Sequence, residues 1–137
     1  MRELGREIGR ELRAGDVVLL HGDLGAGKTT LAQGIAETLG VAGVTQSPTF
    51  TLVAEHPATL ATGEAVTLYH LDLYRLDDPE ELGAIGWEEM IAPAEGVTVV
   101  EWPERAGEWL PERYTLVSIA YIDADTREVT IRRVPER

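Results

Sequence analysis

The spacing of hydrophobic positions changes several times along the chain, and each change predicts an element. Leu4, Ile8 and Leu12 recur every four residues among Glu3, Arg6, Glu7, Arg10 and Glu11, the pattern of an amphipathic helix with one narrow buried stripe, ending near Ala14-Gly15. The run Val17-Val18-Leu19-Leu20-His21 is continuously apolar with a β-branched start, which suits a strand covered on both faces of a parallel sheet. A second helix is expected from Gly27-Lys28-Thr29-Thr30, turning Leu31, Ile35, Ala36 and Leu39 inward and stopping at Gly40. Val41 to Phe50 reads as an ordered or switching loop, because Pro48 disfavours helix at the residue before it.

Two strands are expected at Thr51 to Glu55 and Ala65 to Tyr74, separated by a polar, turn-rich loop from His56 to Glu64. Asp78-Pro79-Glu80-Glu81 is a helix start: Asp78 can cap, Pro79 suits the first helical position and Glu81 completes the capping-box spacing, with a short acidic helical region running to about Ile91. Val97 to Val100 is another β-branched run, closed by Glu101-Trp102 and broken by Pro103. Tyr114 to Val134 alternates around Asp123-Ala124-Asp125-Thr126, an antiparallel hairpin. The expected fold is α/β and three-layered: a mostly parallel central sheet, helices on both faces, and an antiparallel portion at one edge.

Composition bounds this reading. The chain has 137 residues, 44% of them hydrophobic, enough for one core, so residues 1–137 are read as a single domain. A formal net charge of −12 repels DNA, RNA and anionic membranes, which disfavours direct, unaided nucleic-acid binding. With no cysteine there is neither a disulfide framework nor a thiolate metal site or nucleophile, and no apolar stretch approaches the roughly 18 residues of a membrane span. A soluble, cytoplasmic protein is expected. Among twelve basic residues Lys28 is the single lysine, and it sits in the most informative segment.

Gly22-Asp23-Leu24-Gly25-Ala26-Gly27-Lys28-Thr29 satisfies G-x-x-x-x-G-K-[ST], between an expected strand and an expected helix. Gly22 and Gly27 permit close backbone approach, so successive N–H groups can turn toward phosphate oxygens, and the helix adds the positive end of its dipole. In this pattern Lys28 reaches the β- and γ-phosphates and Thr29 offers a hydroxyl to Mg2+. A merely structural glycine turn would not need this placement. Guanine selectivity commonly uses an Asn-Lys-x-Asp motif, which requires a second lysine, so ATP is favoured by elimination.

Ligands of open α/β sheets bind beyond the carboxyl ends of strands, so the metal or water calls for a strand-end carboxylate. Glu101 and Asp72 both qualify, each with the alternative of an ordinary solvated acid, and Glu104 is a weaker candidate. Ser47-Pro48-Thr49 lies where P-loop proteins often place a γ-phosphate sensor, and is equally readable as a plain turn. Arg75 and Arg105 are read as solvated, His70 as a packed, hydrogen-bonded histidine rather than a base, and Trp87, Trp102 and Trp109 as core or partner-surface residues.

Taken in order, His21 to Thr30, Ser47 to Val53, His70-Leu71-Asp72-Leu73-Tyr74-Arg75-Leu76 and Val100-Glu101-Trp102-Pro103-Glu104 resemble one family: TsaE, also called YjeE, the bacterial ATPase subunit of tRNA threonylcarbamoyladenosine biosynthesis. The resemblance spans about Leu12 to Ile131. It implies a P-loop NTPase that joins TsaB and TsaD, a complex modifying the adenosine next to the anticodon, in which TsaD performs the transfer, the ATPase resets the complex and the partners hold the tRNA. Carried over by position, Lys28 and the backbone of Asp23 to Thr29 hold phosphates, Thr29 and Glu101 attend Mg2+, Asp72 serves hydrolysis or water positioning, and Thr49 belongs to a nucleotide-sensing loop. Thr30 and Glu104 complete the candidate nucleotide shell. Family members usually carry a further segment before the first helix, whereas here Met1 opens the helix itself. Two other readings of the same residues are a small-molecule or nucleoside kinase, with Asp72 and Arg75 at the acceptor, and a nucleotide-gated binding module with negligible hydrolysis.

Overall fold

A computed structural model of the chain describes residues 1–23, 27–41, 53–74, 76–84, 86–91 and 94–135. In chain order it contains α1 (Arg2–Glu11), β1 (Val17–Gly22), α2 (Lys28–Thr38), β2 (Val53–Thr59), β3 (Ala65–Asp72), the single turns α3 (Glu81–Ala84) and α4 (Trp87–Met90), β4 (Gly96–Glu101), a 3₁₀ helix (Pro103–Trp109), β5 (Tyr114–Asp123) and β6 (Thr126–Val134).

The described strands form one sheet in the order β2-β3-β4-β1-β5-β6. β3, β4, β1 and β5 run parallel, and their runs of valine and leucine are buried, as expected for strands covered on both faces. The antiparallel hairpin around Ala124-Asp125 forms as expected, between β5 and β6. A second antiparallel pair, β2 with β3, closes the opposite edge. It is longer than the sequence suggests: β2 continues through His56 and Pro57 to Thr59, because on an outer strand Pro57 needs no partner for a missing N–H.

One face of the sheet packs Val18, Leu20, Val97, Val99 and Val117 against Leu31 and Ile35 of α2 and Leu39 at its C-cap. The other packs Val17, Leu19, Leu71 and Val100 against Leu82, Trp87 and Met90. Three layers result. The helical stretch expected up to Ile91 is in fact two separate turns, joined through Gly86 at φ 81°. Asp78 Oδ1 accepts from the Glu80 N–H at 3.0 Å, closing a turn ahead of α3, which begins at Glu81 and not at Pro79 as expected.

α1 contributes more than its sequence pattern shows. Within the helix the buried positions are Gly5 and Gly9; of the expected stripe, Leu12 at the C-cap is buried in the core, and Leu4 and Ile8 pack against it partly covered. The bare faces of Gly5 and Gly34 let the α1 and α2 backbones touch, since a Cβ on Gly34 would lie 2.1 Å from the Arg2 carbonyl oxygen. Arg2 and Arg6 then reach Glu37 across the contact. No described helix is long and apolar enough to cross a membrane.

Candidate functional site

β1, β3 and β4 lie side by side and end together, so their terminal residues share one rim of the sheet. The parallel register sets Asp72 beside Glu101, and Glu101 beside Leu20, two residues before Gly22. α2 begins at the same rim. Its N-cap is Gly27, at φ 113°, a left-handed conformation that favours glycine, and a Cβ there would come within 2.8 Å of the Met1 side chain. The helix start has no side-chain cap and no acidic residue in its first turn, so its N–H groups and positive dipole end are not claimed by a carboxylate of the helix itself. Leu24, Gly25 and Ala26 lie outside the described residues, as do Thr49 with the whole Ser47-Pro48-Thr49 segment, and Arg75.

Lys28 is 5% exposed. Its ammonium donates to the Gly22 carbonyl at 2.5 Å and stands 3.4 Å from the centroid of the Trp102 ring. Tyr74 packs on the same indole, the two centroids 4.9 Å apart. Burial lowers the Lys28 pKa from its ordinary value, while Glu101, Glu104, Asp72 and Asp23 pull it back toward the charged form. Trp102 is thereby part of the site, a role its sequence position did not announce. It is also the sole non-glycine residue with positive φ among those described, at 59°, a conformation costing about 1–3 kcal/mol. That backbone turn, immediately before Pro103, swings the indole onto Lys28.

Glu101 is 2% exposed and its two oxygens have different neighbours. Oε2 is 2.6 Å from Nε2 of His70, itself 3% exposed; when Glu101 is ionised it can only accept, and the ring N–H is then the donor. Oε1 accepts from the Thr29 hydroxyl at a long 3.5 Å. Asp72 is less deeply placed, with Oδ1 accepting from the Tyr74 N–H at 3.0 Å. Its pKa is raised chiefly by burial, with the Tyr74 hydrogen bond opposing and the Glu101 charge adding to the rise. Glu104 is exposed and its Oε2 is 3.4 Å from Nε2 of His21, at the rim of the cluster. Asp23 and Thr30 are exposed beside the helix start, and Arg105 is exposed on the 3₁₀ helix.

Lys28, Thr29, Asp72, Glu101 and, more distantly, Glu104 are thus brought to one rim, as the sequence reading expected. No group of three or more His, Asp or Glu able to cage a metal occurs among the described residues. The available donors, a threonine hydroxyl and a strand-end carboxylate, are hard oxygens of the kind Mg2+ takes when phosphates and water supply its remaining ligands. The carboxylates around Lys28 would repel a bare polyphosphate, and a divalent cation offsets that repulsion.

Comparison with known proteins places this arrangement. Residues 1–129 match the family model described as Threonylcarbamoyl adenosine biosynthesis protein TsaE. The chain is 42% identical to a tRNA threonylcarbamoyladenosine biosynthesis protein TsaE from Streptomyces coelicolor, over 100% of this chain and 93% of that one. It is 39% identical to the protein of the same name from Bacillus subtilis, over 91% of this chain and 74% of the other. The crystal structure of Bacillus subtilis YdiB superposes with a TM-score of 0.77 at 33% identity, covering 97% of this chain and 78% of that chain.

Proposed function

The chain belongs to the TsaE family, and on that premise we propose that it is the ATP-binding, weakly hydrolysing subunit of tRNA threonylcarbamoyladenosine biosynthesis, working in the cytoplasm with TsaB and TsaD. The observation that carries this reading is the convergence of Lys28, Thr29, Asp72 and Glu101 at the mouth of an uncapped helix. The α2 N–H groups and Lys28 bind the phosphates; Lys28 leaves the Gly22 carbonyl and the Trp102 face to do so. Thr29 and Glu101 are the residues that would hold Mg2+, with Glu104 at the outer edge of the nucleotide. When bound, Mg2+ neutralises charge on the β- and γ-phosphate oxygens.

In hydrolysis a water oxygen bonds to the γ-phosphorus and the bond to the β–γ bridging oxygen breaks, giving ADP and inorganic phosphate. Asp72 faces this region with a raised pKa, as a carboxylate suited to orient the water and accept its proton. The net charge of −12 supports tRNA binding mainly through the partners.

The test is phosphate release with and without TsaB and TsaD, for the native chain and Lys28→Ala. Partner-stimulated hydrolysis is expected to fall by about 10²-fold in the variant, as for loss of one charge-stabilising donor. Undiminished hydrolysis would remove Lys28 from the mechanism, and label from γ-labelled ATP appearing in an organic product would make the protein a kinase.

A further inference from the structure

Of the carboxylates at the rim, Glu101 is the one withdrawn almost entirely from water, and such a charge needs a committed hydrogen-bond donor. His70 supplies it. The imidazole lies two residues before Asp72 and so on the same face of β3, and reaches diagonally across the parallel register, in which His70 pairs with Val99 and Asp72 with Glu101. On its other side β3 pairs with β2, so His70 sits in an interior strand with its backbone held on both edges. The two side chains, each 3% exposed, have little freedom to rearrange.

We propose that His70 is a positioning residue: its Nε2–H fixes Glu101 Oε2, which turns Oε1 toward Thr29 and presents that one oxygen to the Mg2+ that accompanies the nucleotide. The inference rests on the magnesium–ATP reading given above. Without the clamp, the Glu101 carboxylate can rotate about its terminal torsion and lose its orientation toward Thr29. Partners that orient metal-bound carboxylates typically alter metal affinity by about 10–100-fold when removed.

Glutamine and asparagine separate this role from bulk. The amide nitrogen of glutamine overlays the Nε2 position of histidine, whereas that of asparagine overlays Nδ1 and falls short of Glu101. Mn2+ can be titrated into the protein saturated with a non-hydrolysable ATP analogue, with free Mn2+ counted by electron paramagnetic resonance. His70→Asn is expected to weaken Mn2+ by about 10–100-fold and His70→Gln to stay within about threefold of the native chain. Equal Mn2+ affinity in the native chain and the Asn variant, or a Gln variant as weak as Asn, would overturn the assignment of His70.

A measurement on the native chain guards against a variant that does not fold. The Nε2–H proton of 15N-labelled His70 is expected to resonate far downfield and to persist when analogue and Mg2+ are both bound. Its disappearance on loading would mean that the clamp opens when it is needed, and would overturn the proposal. A native complex that takes up no Mn2+ would defeat the magnesium–ATP reading together with this inference, whereas indifference to the substitutions defeats the inference alone.

Discussion

Replacing Gly34 by alanine tests the backbone-to-backbone contact between α1 and α2. A Cβ at this position would sit 2.1 Å from the Arg2 carbonyl oxygen and 3.0 Å from both the Arg2 carbonyl carbon and the Gly5 Cα. These are backbone atoms of the facing helix, so no side chain can swing aside, and α1 must retreat by about 1 Å to restore ordinary contact. Overpacking of this sort costs about 1–3 kcal/mol, against which alanine recovers about 1 kcal/mol of helix propensity. The difference spans about 0–2 kcal/mol, and a 2.1 Å approach to a backbone oxygen puts this site in the upper half, a loss of about 1–2 kcal/mol. With an unfolding entropy near 0.3 kcal/mol/K for a chain of this length, the melting temperature falls by roughly 3–7 °C. Differential scanning calorimetry of the ligand-free protein reads this directly. Gly5→Ala, whose Cβ would meet the Leu31 carbonyl oxygen at 2.1 Å, should match it, and Gly9→Ala, at 2.9 Å from the Thr38 Cβ, should cost less. One retreat of α1 accommodates both new methyl groups, so the double substitution at Gly5 and Gly34 should cost less than the two singles together. A Gly34→Ala protein that melts at or above the native temperature would refute the contact.

Asp72→Asn keeps the acceptor for the Tyr74 N–H and removes a charge whose pKa is raised by burial. Because the folded chain holds that proton more tightly than the unfolded one, native stability declines as pH rises from the ordinary carboxylate range through the raised value. The stabilisation gained by the variant should therefore be larger at neutral than at mildly acidic pH, measured as the shift in denaturation midpoint; a gain independent of pH would contradict the shift. Trp87→Phe removes an indole N–H that donates to the Trp109 carbonyl at 2.8 Å in a nearly fully buried setting. A loss of about 1–3 kcal/mol in urea unfolding is expected, and no change would mean that water replaces the bond.

The parallel centre of the fold was legible because β1 and β4 are short apolar runs ending in informative residues, and the glycine-rich turn between β1 and α2 fixes their order. The second antiparallel edge was not, since His56 and Pro57 look like loop residues until an outer strand gives them a place. Periodicity finds the Leu4, Ile8 and Leu12 stripe, which does face the core, but it is blind to Gly5 and Gly9, because it counts bulky apolar side chains and a backbone-to-backbone contact has none. At the site, Lys28, Thr29, Asp72 and Glu101 were recoverable from motif and strand-end position. Trp102 was not: its reach to Lys28 depends on a left-handed backbone turn that no spacing rule announces. His70 was legible as a satisfied histidine, but which acid satisfies it depends on the pairing of β3 with β4, a tertiary fact.

The two outer strands govern how this molecule meets others. β2 carries Pro57, which offers no amide hydrogen, and β6 carries Arg127, Glu128, Arg132 and Arg133 along its exposed length. A sheet margin interrupted by an imino acid on one flank and crowded with charges on the other is a poor template for a visiting β-strand. The fold thereby discourages ribbon-like stacking of crowded or newly made copies, and recognition by other macromolecules is steered to side-chain surfaces and to the sheet rim that carries Lys28 and Glu101.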